Sequence, residues 1–291
     1  MENHLIQGDF KMFDTLYNTI DKILPFQRLS HTIMKNAFIA ILIITPLFGL
    51  LSTMVVSNKM SFFADSLGHG AFTGIAVGIL LGGIDPMWGA TLFSVCFAIA
   101  ITIIKNKGTS STDTIIGVFS STSIALGLVL MSFSSSLSKF TSYLVGDLLS
   151  ISKNEIILLI FVFITVIVLW TLIFNKLLVT SLNTSLANSR GMNTLLIEII
   201  FTCTIAVIVT LTIRWVGLLI INSLLVLPAA AARNISKNVR QYHLFSVLIA
   251  VFSGITGLII SYYLNTVTGA TIVLISSVIF FITLIIRRKF I

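Results

Sequence analysis

Asp65 and His69 stand four residues apart in the stretch MSFFADSLGHGAFTG, within a run apolar enough to cross a bilayer. On a helix, residues at that spacing share one face. A carboxylate beside an imidazole offers two ligands to a divalent transition metal. Ionisable groups inside a span are costly to keep, so they mark pathways and sites. Gly68, Gly70 and Gly74 surround the pair; small residues let helices approach closely or let the backbone break around a site. The same pair also reads as a hydrogen-bonded couple that only locks helices together. Two ligands are too few for a tight site. A symmetric dimer that sets two pairs across its axis would supply four.

Other polar groups in apolar runs carry less. Glu198 sits near one end of its span, where it can snorkel, pair with a base or line a pathway. Arg214 sits at the opposite end of the same hairpin, as an interface anchor. Asn222 and Ser223 interrupt LLIINSLLVLPAAAAR, where interhelical hydrogen bonds are their ordinary use, and Pro228 should kink the segment. His4, His31 and His243 fall in polar stretches and receive no role. Cys96 and Cys203 lie in apolar runs and imply neither a disulfide framework nor a zinc cluster. There is no G-x-x-x-x-G-K-[ST] phosphate loop, no H-E-x-x-H, no G-x-S-x-G and no kinase set. The chain is read as no enzyme, and if it pumps, the energy comes from a partner or an ion gradient.

These residues must be positioned by elements suited to lipid. Hydrophobic residues make up 56% of the 291 and charged residues 10%, against about 25% charged in a soluble domain. Mean hydropathy is +1.07. Such a chain cannot cover a water-facing surface. In lipid every backbone group must be bonded internally, which leaves helices or a closed barrel. The alternation of barrel strands is missing, so the fold is read as all-α, a polytopic transmembrane helical bundle. Apolar runs at 37–57, 61–82, 87–104, 114–133, 155–174, 194–212, 215–232, 243–264 and 270–286 give eight or nine spans, of which one or two could be half-helices.

A net charge of +8 would suggest nucleic acid in a soluble protein; here the cations flank spans and orient them, and no nucleic acid is expected. Arg287, Arg288 and Lys289, with Arg233, Lys237, Arg240, Lys176, Arg190, Lys105, Lys107 and Lys59, fall on one side, which reads as cytoplasmic together with the C-terminus. Residues 1–36 form a separate amphipathic segment: Phe10, Phe13, Leu16, Tyr17, Ile20, Ile23 and Leu24 recur at helical spacing and Pro25 closes it. It would lie on the membrane surface or on a partner subunit. Residues 134–154 are serine-rich, then apolar, then Gly146-Asp147, which suits an outer gate, a docking surface or a plain outer loop. The polar loop 175–193 holds a short helix ending at Gly191, four residues after Ala187.

Three segments then share an order with a known family. MSFFADSLGHGAFTGIAVGILLG resembles the segment in which MS-x-x-x-D-x-x-x-H leads into a glycine-rich helix. YLVGDLLSIS resembles a GDLL segment, and WVGLLIINSLLVLPAAAARNIS resembles VG-x-L-x-x-x-SLL-x-x-PAA-x-AR. Together they resemble the zinc/manganese/iron-type ABC importer permease family over residue 37 to the end, the permease domain 37–291. The resemblance implies a homodimer with its path at the dimer axis, two cytoplasmic ATPase subunits and an extracellular solute-binding protein. It implies a transported Zn, Mn or Fe ion with no permanently bound cofactor, and a multi-pass place in the cell membrane. It puts the path's metal contacts on Asp65 and His69. The coupling segment A-x-x-x-G falls on Ala187 and Gly191, where Ser185 stands in place of the usual acid. Gly146 and Asp147 become gate or docking candidates. The rival readings are a siderophore- or cobalamin-type chelate permease and a secondary metal transporter with Asp65 as proton relay.

Overall fold

The computed structural model describes residue 17 and residues 32–81, 86–108, 110–133 and 146–289. Among the described residues every long element is a helix. In order these are α1 (Thr32–Ser57), α2 (Phe63–Leu81), α3 (Pro86–Lys107), α4 (Thr112–Ser132), α5 (Lys153–Leu182), the short α6 (Thr184–Ser189), α7 (Thr194–Val216), the half-helices α8 (Leu218–Leu224) and α9 (Leu227–Ile235), α10 (Val239–Leu264) and α11 (Thr268–Lys289). Eight of them are long and apolar enough to span a bilayer. The seventh run anticipated from the sequence is the α8–α9 pair, broken at Leu225–Val226.

That break has a local cause. Pro228 lacks the N–H that would continue a helix and is suited to a first turn, so α9 restarts with it. Ahead of α8, Gly217 at φ +83° ends α7. The first span begins at Thr32, earlier than residue 37. The amphipathic segment proposed for 1–36 lies outside the described residues apart from Tyr17 and the first turns of α1. Tyr17 donates its hydroxyl to Asn36.

Helices α1, α2 and α7 are the most enclosed, and α11 the most exposed to the surroundings. α1 is flanked by α10, α5 and α9, while α2 packs on α3, α4 and α7. With no hydrophobic force between helices in lipid, close contact and hydroxyl bonds hold them together. Ser246 of α10 donates to the Gly49 carbonyl of α1 at 2.6 Å. Thr102 and Thr202 join α3 to α7 at 2.9 Å. Each hydroxyl inside a span would otherwise be left unpaired in hydrocarbon; Thr45, Thr210 and Thr212 instead donate to the carbonyl four residues earlier.

The alternation of helices sorts the charges. Lys59, Lys105, Lys107, Arg190, Arg233, Lys237, Arg240 and Arg287 all fall at one end of the bundle, hereafter the basic end. Glu198 is buried there, held by Asn106 at 2.7 Å and Lys105 at 3.5 Å. At the opposite end Arg214 pairs with Glu155 at 3.6 Å.

Candidate functional site

α2 starts at Phe63 after a turn through Lys59, so Asp65 stands in its first turn and His69 one turn further. At about 1.5 Å per residue His69 lies about 9 Å along the helix from its basic end. The pair meets: His69 Nε2 is 3.5 Å from Asp65 Oδ2, with the side chains 18% and 37% exposed respectively. The spacing read from the sequence therefore does bring both to one face, and that face is open in the single chain.

Two contacts fix the rotation of α2. The Thr73 hydroxyl donates to the Ser123 carbonyl of α4 at 2.6 Å, and the Ser123 hydroxyl donates to the His69 carbonyl at 3.2 Å. On another side Gly68 lies against Leu218 of the half-helix α8: a Cβ there would fall 1.8 Å from Leu218 Cδ1. Any side chain there would have to displace Leu218. The His69 backbone is thus tied to α4, and the broken helix leans on α2 within one residue of the Asp65–His69 pair.

The donor set remains a pair. Among the described residues no group of three His, Cys, Asp or Glu side chains could hold an ion. One chain offers one nitrogen and one carboxylate, a borderline-to-hard set suited to first-row divalent ions. Asn222, four residues after Leu218, was expected to bond between helices; its Oδ1 is instead buried with no hydrogen-bond partner.

Gly146 and Asp147 lie at the opposite end, well away from the pair in the run of the helices. Gly146 adopts φ +69° and seats directly on Gly217, where a Cβ would come within 2.3 Å of the Gly217 nitrogen. The Asp147 N–H donates to the Arg214 carbonyl at 3.3 Å. Its side chain accepts from the Leu149 N–H at 3.2 Å, opening the short 3-10 turn Leu148–Ser150. Two of the motif segments read separately in the sequence therefore dock on each other. Between them and the start of α11 is a cavity of about 220 Å³, walled by Trp215, Ile220 and Gly269 among others. Residues 134–145, the rest of the gate or docking candidate, lie outside the described residues.

Ala187 and Gly191 belong to α6 and its exit at the basic end. Asn183 caps α6 by accepting from the Leu186 N–H at 3.0 Å. Ala187 is fully buried, and its carbonyl accepts from the N–H groups of Arg190 and Met192, each at 3.1 Å. Gly191 closes the turn at φ +72°, the usual glycine role after a helix. The two residues that the motif picks out shape this loop. Outward it turns Leu186, 47% exposed, among the polar residues Asn183, Thr184, Ser185, Asn188, Ser189 and Arg190; Leu182, 77% exposed, ends α5 just before it. Sequence reading missed Leu186, an apolar side chain standing exposed in a polar loop.

Comparison with known proteins gives this geometry a context. The model of the ABC 3 transport family matches residues 30–287. The high-affinity zinc uptake system membrane protein ZnuB of Haemophilus influenzae is 32% identical over 82% of this chain and 92% of its own length. The manganese transport system membrane protein MntC of Listeria monocytogenes is 25% identical over 90% of this chain and 93% of its own. Among solved structures, PsaBC from Streptococcus pneumoniae in complex with Fab superposes with a TM-score of 0.76 and 25% identity. That match covers 92% of this chain and 94% of the other.

Proposed function

The chain belongs to the ABC 3 transport family, and from that premise we propose that it is the membrane-spanning permease of an ATP-driven importer for a divalent transition metal ion, Zn, Mn or Fe. The chain is a membrane subunit of a transporter and no enzyme; ATP hydrolysis belongs to a separate chain. Relatives named for zinc and for manganese both support the ion class. Iron rests on the family resemblance and on the ligand chemistry.

The observation that carries the path is the open Asp65–His69 face. A carboxylate and an imidazole exposed within a span cannot face lipid cheaply. A second copy of this chain across a two-fold axis covers them, and it brings two carboxylates and two imidazoles to the axis. An ion arriving there trades hydration for up to four protein donors. It leaves again because each chain contributes only two, and the helices that carry them can part.

The basic end is cytoplasmic in this reading, in line with the positive-inside rule, so the C-terminal end of α11 is cytoplasmic too. The ATPase subunits then dock on α6, and an extracellular solute-binding protein delivers the ion at the opposite end, beside the Gly146–Gly217 contact. Closure of the ATPases, felt through α6, moves α5 and α7 on either side of it.

The test is cellular metal content by mass spectrometry in metal-poor medium. Cells lacking the chain are compared with cells given wild type, Asp65→Ala or His69→Ala. One divalent metal should recover with wild type and stay lower by about tenfold or more with either variant, since even outer-shell changes cost metal sites 10–100-fold. Normal recovery with both variants would sink the proposed path. No metal recovering even with wild type would point to a chelate or another cargo.

A further inference from the structure

The basic end holds a cavity of about 570 Å³ that the transport path does not use. Segments far apart in sequence wall it: the turn after α1, the last turn of α5, the α9–α10 connection and the start of α10. Lys59, Arg233 and Lys237 line it, and no carboxylate does. None of the three cations forms an ion pair with another described residue. Three unneutralised positive charges around one concavity call for an anion.

Two further features point the same way. Lys59 sits at φ +56°, a left-handed conformation that glycine adopts freely and lysine does not. The turn itself needs only backbone: the Met60 N–H donates to the Val55 carbonyl at 3.0 Å. A glycine would close it at least as well, so the backbone gives no reason for a lysine here, and the side chain lines the cavity. The cavity also opens at the N-terminus of α10, a helix of 26 residues capped by Asn238. The unpaired N–H groups of a first turn favour a negative group there.

Part of the remaining wall is apolar, alongside the polar Ser57, Ser181, Ser236, Asn238 and His243. Leu178, Leu182 and Val239 line the same space, and Leu182 and Val239 continue outward as exposed surface. Cations beside an apolar flank, at the level where spans end, match an amphiphile with a phosphate at one end and methylenes at the other. A basic pocket between transmembrane helices is a headgroup site in physical terms. We infer that this cavity binds the phosphate headgroup of one anionic phospholipid, with its first methylenes against Leu178, Leu182 and Val239. The inference rests on the chain spanning a membrane, and it stands whether or not Asp65 and His69 carry a metal.

The test uses the transporter with its partner chains in nanodiscs of phosphatidylcholine containing some phosphatidylglycerol. Native mass spectrometry counts the phosphatidylglycerol that each permease chain retains. Wild type should retain one, and retention should weaken about fivefold for each cation removed. Lys59→Gly alone should show the first step, with a thermal midpoint at or above wild type because the turn is relaxed. Lys59→Gly/Arg233→Gln/Lys237→Gln should lose the lipid, whereas Lys107→Gln, at the same end but outside the cavity, should keep it. Inorganic phosphate should not displace the lipid. Equal retention by wild type and the triple variant overturns the site. Displacement by inorganic phosphate alone makes it a free-anion site and overturns the lipid. Loss of the ATPase subunit with lipid retention unchanged assigns the cations to a partner's carboxylates, and overturns it equally.

Discussion

Gly68 lies between the ligand pair and the broken helix, and its missing side chain sets how near α8 can come. Leu218 is nearly fully buried, so it has little room to turn away from an added methyl. Gly68→Ala should therefore destabilise the chain by about 1–3 kcal/mol, the usual cost of overpacking. It should also lower metal uptake, because the added methyl pushes on the residue next to His69. Thermal unfolding of the purified variant measures the first effect. Leu218→Ala in the same chain should recover part of it, since contacting residues couple in double-mutant cycles. If Gly68→Ala unfolds at the wild-type temperature, the contact has no energetic weight. That Asp65 and His69 share one face was legible, because helical spacing is a local fact. Gly68 was legible only as a small residue. That its neighbour is Leu218, 150 positions on, is a property of packing that no local pattern encodes.

At the scale of elements, the sequence announced interruptions better than contacts. Pro228 marked the broken span correctly, since a missing N–H acts within its own turn. The docking of Gly146 on Gly217 was not readable, because the two glycines lie in separate segments that only the fold sets together. Gly146→Ala should strain both a φ of +69° and a backbone contact. The prediction is a loss of about 1–3 kcal/mol in stability, read by chemical denaturation, with Gly191→Ala milder because nothing lies within 4 Å of its Cβ position. Equal effects at the two sites would mean that left-handed backbone alone matters and the docking does not.

The loop around α6 corrects the emphasis of motif reading in a similar way. Ala187 faces inward and shapes the loop, while Leu182 and Leu186 face out. Leu186→Asp should leave the bundle folded, because the side chain is exposed, yet release the ATPase subunits on purification and abolish ATP-driven uptake. Unchanged co-purification and uptake would mean that the partner seats elsewhere.

For the whole molecule the decisive question is what covers the open face of α2. Phe62, Asp65 and His69 occupy successive turns of one side, and Phe62 is 61% exposed. An aromatic ring, a carboxylate and an imidazole in line form a poor lipid-facing surface and a good self-complementary one, since a two-fold axis sets the same patch on both copies. Composition could suggest that the chain needs company, and the exposure of these three side chains in the bundle is what favours this face for it. With Cys96 and Cys203 changed to Ala, a Phe62→Cys chain in membranes should form a disulfide-linked dimer under mild oxidation. Cys introduced in place of Leu274, exposed on α11, should stay monomeric. The linked dimer should have lost metal uptake and regained it on reduction, because helices locked at the axis cannot part to release the ion. Cross-linking through Leu274→Cys with none through Phe62→Cys would put the two-fold axis on the other side of the bundle, and would leave Asp65 and His69 of one chain without their counterparts.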